Sequence, residues 1–213
     1  MYAKCFKRVL DACLSALALT VLSPVLVVLT ALGAVFMKGN PFFTQQRPGK
    51  NEKIFRLIKF RTMTMEKDTE GNLLPDEKRL NKYGKFLRAT SLDELPELVN
   101  IFVGHMSLVG PRPLLVEYLP YYTEQEHHRH DVRPGLTGLA QVNGRNNLTW
   151  EQKFAYDLQY ADSVSLSTDV KILFDTVGKV LKRADVQTDT QFSEGNLAKI
   201  RSAQAGAEME QTV

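Results

Sequence analysis

Cysteine is almost missing from this 213-residue chain: only Cys5 and Cys13 occur, both near the start. Two such thiols build neither a disulfide framework nor a zinc knuckle, and their scarcity fits a domain facing a reducing compartment. A dominant charge is missing too. Twenty-seven Lys and Arg against 24 Asp and Glu leave a net +3, too slight an excess for a bulk nucleic-acid binder, so no nucleic-acid partner is expected. Neither a G-x-x-x-x-G-K-[ST] loop nor a dinucleotide fingerprint occurs, which excludes the Walker and Rossmann phosphate cradles. There are no internal repeats. From Ala12 to Phe36 there is no charge at all.

That last absence organises the chain. Val9 to Phe36 carries one charge, Asp11, and a run of about 18 or more apolar residues is long enough to cross a bilayer. Ser23-Pro24 breaks it near the middle, because proline removes a helical hydrogen bond and clashes with the preceding turn. Lys4, Lys7 and Arg8 precede it; Lys38, Arg47, Lys50 and Lys53 follow. Since Lys and Arg favour the cytoplasmic side, both ends ask for the same face. The expectation is a re-entrant helix kinked at Ser23 and Pro24. Its arms, roughly 16–18 Å each, reach about half of a ~30 Å hydrocarbon core. The competing readings are a kinked spanning helix and a signal peptide. The hydroxyl of Ser23 is placed to satisfy a carbonyl freed by Pro24.

After the anchor, two aromatic, β-prone runs, Phe42–Gln46 and Ile54–Phe60, flank Arg47-Pro48-Gly49-Lys50-Asn51, which predicts a hairpin. Lys59 and Arg61 alternate and share one strand face, either solvated or functional. Residues 66–82 read as a charged loop. Ser91-Leu92-Asp93-Glu94 matches a capping box, followed by Pro96 and a helical run, so Asp93 and Glu94 are expected at a helix N-terminus, the end that attracts anions. Taken alone, they equally read as plain helix caps. Arg88 lies just upstream. Arg112, between Pro111 and Pro113, is held in a defined direction, which suits bidentate phosphate recognition or a simple surface turn. Leu114–Tyr122 reads as core or as an interfacial strip. His127, His128 and His130 lack the i, i+4 spacing of a helical zinc site, so exposed or interface-facing histidines are expected. Gly135, Gly138 and Gly144, between Arg133 and Arg145, allow either a diphosphate cradle or a turn-rich β segment. Trp150, Phe154, Leu158 and Ala161 form one helical stripe. Val170, Leu173, Phe174, Val177, Val180 and Leu181 form another, on a helix suited to core or membrane interface. The last twenty residues are polar and expected to fray.

Four motifs in fixed order, Lys59–Met63, Leu87–Pro96, Met106–Pro113 and Val132–Arg145, together with Ser23-Pro24, carry a resemblance to the small monotopic phosphoglycosyl transferases of bacteria. The likeness runs from about residue 3 to 185. It is nearest the branch that uses UDP-di-N-acetylbacillosamine in protein glycosylation, by the short chain and the run Leu114–Lys153. His105 stands where many relatives carry an acid, and Leu139 where wider relatives carry a tryptophan.

The resemblance implies a mainly α fold with a small β hairpin (α/β): residues 1–38 a re-entrant anchor, 39–185 a cytoplasmic catalytic domain with interfacial amphipathic helices, 186–213 a tail. It implies transfer of a sugar-1-phosphate from a UDP-sugar to undecaprenyl phosphate, releasing UMP, at the inner membrane. Asp93 would be the nucleophile of a ping-pong reaction. Asp93 and Glu94 would hold Mg2+, and Lys59, Arg88, Arg112 and Arg145 would bind phosphate. Membrane lipids and the downstream glycosyltransferases are the implied partners. The alternatives are a membrane glycosyltransferase that releases UDP and a non-catalytic lipid-binding scaffold.

Overall fold

The computed structural model describes residues 2–144, 147–181 and 195–211. Helices dominate, joined by two small two-stranded sheets. A π-helical turn, Tyr2–Phe6, leads into α1 (Lys7–Val21), and α2 (Ser23–Phe36) departs at 65° to it. The cause of the bend is local. Pro24 has no N–H to offer the carbonyl of Thr20, and Ser23 Oγ donates to that same oxygen at 2.8 Å. Among the described residues no single helix is long and apolar enough to cross a membrane; the bent pair meets that test only jointly, by length and composition.

One side of α1 is polar and buried. Lys7 Nζ lies 2.6 Å from Asp169 Oδ2, which also accepts from Tyr2 OH at 2.6 Å, while Tyr160 OH donates to Asp169 Oδ1 at 2.7 Å. Asp11 accepts from Ser107 Oγ at 2.7 Å and from the Leu108 amide at 3.0 Å. Arg8 donates to the carbonyls of Ile101 and Phe102. The start of the chain is thus fastened to three separate segments by charge-assisted hydrogen bonds.

The predicted hairpin forms. Strands β1 (Phe42–Pro48) and β2 (Ile54–Phe60) are antiparallel, with Phe42 opposite Phe60 and Arg47 opposite Phe55. Asn51 and Glu52 in its turn take positive φ. The segment 66–82 includes a one-turn helix, α3 (Asp76–Arg79). Then α4 (Lys82–Thr90), capped by Asn81 on the Gly84 amide, packs tightly on the end of β2: a Cβ on Gly84 would stand 1.8 Å from the carbonyl oxygen of Thr62. Next come a 3-10 turn, Leu92–Glu94, and α5 (Glu97–Val103).

A second sheet, not foreseen as such, pairs β3 (Ser107–Val109) in parallel with β4 (Gly135–Thr137). It decides between the two readings of the glycine segment. A Cβ on Gly135 would meet the Gly110 nitrogen at 2.1 Å, and one on Gly138 the Gly110 oxygen at 2.1 Å. These glycines admit another backbone rather than a ligand.

The remaining helices are α6 (Glu124–His127), α7 (Leu139–Val142), α8 (Trp150–Asp162), α9 (Leu166–Leu181) and α10 (Leu197–Gln211). Leu114–Tyr122 resolves as core, since Tyr118 and Tyr122 pack with Trp150, Phe154 and Leu197. The α8 stripe is rotated from the expected one: Trp150, Phe154, Asp157 and Tyr160 are buried, and Leu158 and Ala161 are half-buried. The expected frayed tail holds a helix instead. Leu197 is buried, and Arg201 pairs with Glu126 through two nitrogens, at 2.5 and 2.6 Å. On α9, Ile172 and Asp169 face inward while Leu166, Val170, Phe174 and Val177 are exposed; Phe86 of α4 and Val99, Phe102 and Val103 of α5 are exposed as well.

Candidate active site

Asp93 and Glu94 sit where α4 stops. Ser91 takes a left-handed conformation (φ 55°) that ends α4 and turns the chain into the 3-10 turn. The capping box read from the sequence does not form. Ser91 makes no side-chain cap, α5 begins only at Glu97, and the Glu94 carboxylate points elsewhere. Its Oε1 accepts from Lys59 Nζ at 2.8 Å and from Arg112 Nη2 at 2.7 Å. Lys59 Nζ also lies 3.0 Å from Glu97 Oε1. A strand cation, a cation from the Pro-Arg-Pro turn and two acids from consecutive turns therefore meet at one corner.

The corner has a support that sequence reasoning missed. Asn100, buried on α5, accepts from the Ile58 amide at 3.0 Å and donates to the Arg56 carbonyl at 2.9 Å, fixing β2 and with it Lys59. Arg47 donates to the Pro113 carbonyl at 3.2 Å, beside Arg112. Arg129, paired with Asp157 at 2.6 and 3.0 Å, donates to the Arg112 carbonyl at 2.7 Å. The one sequence signal for Asn100 and Glu97 is polarity on the inward face of an otherwise apolar helix, beside Leu98 and Ile101.

The electrostatics separate the three acids. Burial, helped by the neighbouring Glu94 charge, pushes the Asp93 carboxyl up to about 6. Burial and Glu94 likewise push Glu97 up to about 7. Burial raises Glu94 too, but Arg112 and Lys59 outweigh it and hold that carboxyl below the ordinary range. The Glu94 carboxylate in turn raises Arg112. Burial pulls Arg47 down to about 10, and Arg112 adds to that. Glu94 is the clamped, permanently charged acid. Among the described residues Asp93 has no ion pair, and its carboxylate bonds only its own backbone. An unclamped, half-buried carboxylate beside two cations suits attack on phosphorus, because the cations offset the charge of an incoming phosphate.

Comparison with known proteins gives the family of the chain. The family model described as bacterial sugar transferase matches residues 2–183. The chain belongs to the bacterial sugar transferase family. It is 54% identical over 163 residues to the uncharacterized sugar transferase EpsL of Bacillus subtilis, covering 76% of this chain and 81% of that protein. It is 42% identical over 184 residues to the UDP-glucose:undecaprenyl-phosphate glucose-1-phosphate transferase of Klebsiella pneumoniae, covering 82% of this chain. To the undecaprenyl-phosphate galactose phosphotransferase of Salmonella typhimurium it is 35% identical over 198 residues, 83% of this chain. The match spans about 40% of the length of each of the last two relatives. Two of these relatives are thus named as undecaprenyl-phosphate sugar phosphotransferases.

Within this sugar transferase, Lys59, Glu94 and Arg112 come together beside Asp93. Arg88 is half-buried on α4 and its Nε donates to Thr62 Oγ1 at 3.0 Å, two residues beyond the end of β2. Arg145 lies outside the described residues. For a metal, the corner offers the Asp93 carboxylate and Glu94 Oε2, since Lys59 and Arg112 both take Oε1. Two carboxylate oxygens of this kind suit a hard divalent cation. The histidines differ from expectation. His130 is buried rather than exposed, and His127 and His130 both face Glu52.

Proposed function

We propose that this protein transfers a sugar-1-phosphate from a UDP-sugar to undecaprenyl phosphate, releasing UMP. The observation that carries the reading is the division of labour at the corner: Glu94 held by Lys59 and Arg112, Asp93 left free beside them. An Asp93 carboxylate oxygen attacks the β-phosphorus of the donor. The bond from that phosphorus to the bridging oxygen breaks, and UMP leaves with the oxygen. An oxygen of the lipid phosphate then attacks the phosphosugar-aspartate, and Asp93 is released as carboxylate. No net proton moves in either step, which suits a site built for charge neutralisation more than for acid catalysis. Mg2+ held by Asp93 and Glu94, when bound, would neutralise diphosphate oxygens. Lys59, Arg88, Arg112 and Arg145 are the phosphate ligands in this reading.

The bent pair α1–α2 serves, in this reading, as a re-entrant anchor at the cytoplasmic face of the inner membrane, with the exposed apolar faces of α9 and α5 lying in the interface. That arrangement brings a lipid-borne phosphate to the height of Asp93. The donor is an N-acetylated UDP-sugar such as UDP-di-N-acetylbacillosamine, the product an undecaprenyl-diphosphate-sugar passed to glycosyltransferases that extend a glycan.

The test is a donor panel with undecaprenyl phosphate and Mg2+, including UDP-glucose and UDP-galactose. Expected are UMP as the nucleotide product and, without acceptor, a phosphosugar adduct on Asp93 seen by mass spectrometry. Release of UDP, or unchanged turnover in Asp93→Ala, would overturn the proposal, and turnover of glucose or galactose donors alone would move the sugar assignment.

A further inference from the structure

Glu52, His127 and His130 stand apart from the Asp93 corner and take no part in the reaction above. Glu52 comes from the tight turn of the hairpin; the histidines come from the end of α6 and the 3-10 turn after it. One ligand atom from each lies within 4.8 Å of the other two. His127 Nδ1 touches Glu52 Oε1, and His130 Nδ1 lies 3.4 Å from that same oxygen. His130 is 5% exposed, and among the described residues its Nδ1 has no hydrogen-bond partner. A buried ring nitrogen aimed at a carboxylate is placed to ligate a metal.

One spacing already fits: with Zn–N and Zn–O bonds of about 2.0–2.2 Å, neighbouring ligand atoms of a tetrahedral site lie ~3.3–3.6 Å apart, as His130 Nδ1 and Glu52 Oε1 do. The direct contact between His127 and Glu52 is closer than that and has to open for an ion to enter. We propose that Glu52, His127 and His130 bind one zinc-class divalent cation, with water in the fourth position. Two imidazoles and one carboxylate select a borderline transition metal rather than Mg2+.

One contact opposes it. Arg129 Nη1 lies 3.4 Å from His130 Nε2, which favours the proton on Nδ1. Ligation moves that proton to Nε2 and gives up this long contact only, because Arg129 keeps its bonds to Asp157 and to the Arg112 carbonyl. The cation would tie the hairpin turn to a segment 75 residues away. Through Arg129 that segment supports the backbone of Arg112, the residue on Glu94.

The experiment uses the full chain in detergent, stripped with a chelator and titrated with Co2+ in excess Mg2+. Expected is one Co2+ per chain with the visible absorption of tetrahedral Co2+, displaced by Zn2+, and a Tm that rises with Zn2+ by mass action. Asp93→Ala leaves this unchanged. Glu52→Gln and His127→Ala, chosen because both side chains are partly exposed and their loss leaves no buried void, each weaken binding at least ~10-fold with the fold intact by circular dichroism. Absence of stoichiometric Co2+ binding would overturn the site. So would binding that survives both substitutions, or binding lost in Asp93→Ala, which would assign the ion to the other corner.

Discussion

Two buried polar regions of this molecule are built from the same residue types and reach opposite states. Beneath α1, Asp169 receives Lys7, Tyr2 and Tyr160, and Asp11 receives Ser107 and a backbone amide. Each acid there is matched by donors from distant segments. At the Asp93 corner, Glu94 is matched in the same way by Lys59 and Arg112, yet the acid next to it in sequence is left unmatched. Where every buried charge is paired, the network fixes geometry; where one is held unpaired beside cations, it stores a disposition to react.

The comparison breaks most visibly in activity. Asp93→Ala should lower UMP release at least ~10^4-fold, about 5.5 kcal/mol of barrier at ~1.36 kcal/mol per decade; a radiolabelled donor assay measures it. Asp169→Ala should do the reverse. It strands Lys7 in a buried site and costs ~3–5 kcal/mol of stability, read as a drop in Tm of about 10 °C or more. Folded molecules of that variant should keep their donor KM.

A smaller loss is expected from Glu94→Gln, ~2–3 kcal/mol, because Arg112 is 45% exposed and solvent screens part of its unpaired charge. Smallest, and of opposite sign, is Asp93→Asn. The folded Asp93 titrates above its ordinary value, so its contribution to stability is present below the unfolded pKa and is lost as pH rises through about 6. The amide avoids that loss and should raise Tm at pH 8 by a few degrees, ~1–2 kcal/mol, with no difference below about pH 3.8. Glu97→Gln should flatten the same melting curve around pH 7. In turnover, the acid limb of wild type should fall near pH 6 as Asp93 protonates.

Much of the frame was legible because its causes are local. The hairpin follows from two aromatic runs around Pro48-Gly49, and the bend at Ser23-Pro24 from a proline with a hydroxyl beside it. The apolar stripe of α9 has the right period, though its exposure had to be seen. Asp93, Glu94, Lys59 and Arg112 were legible as candidates but not as a set. The capping-box pattern would turn the Glu94 carboxylate back to a backbone amide. It is drawn instead to cations 35 and 18 residues away, a stronger interaction than an amide three positions back. The stripe of α8 misled for a similar reason. Asp157 takes the inward position in place of Leu158 because Arg129 waits there. The cluster of Glu52, His127 and His130 is not legible in the sequence because Glu52 lies 75 residues upstream of His127.

Arg8 closes on the last carbonyls of α5, whose first turn holds Glu97 against Lys59. Seven residues of helix therefore act as a rigid strut between the foot of the chain and the acid corner. Raising or lowering α1 by a turn would carry the corner with it, so the reach toward a substrate is set by the length of a spacer rather than by a swinging arm.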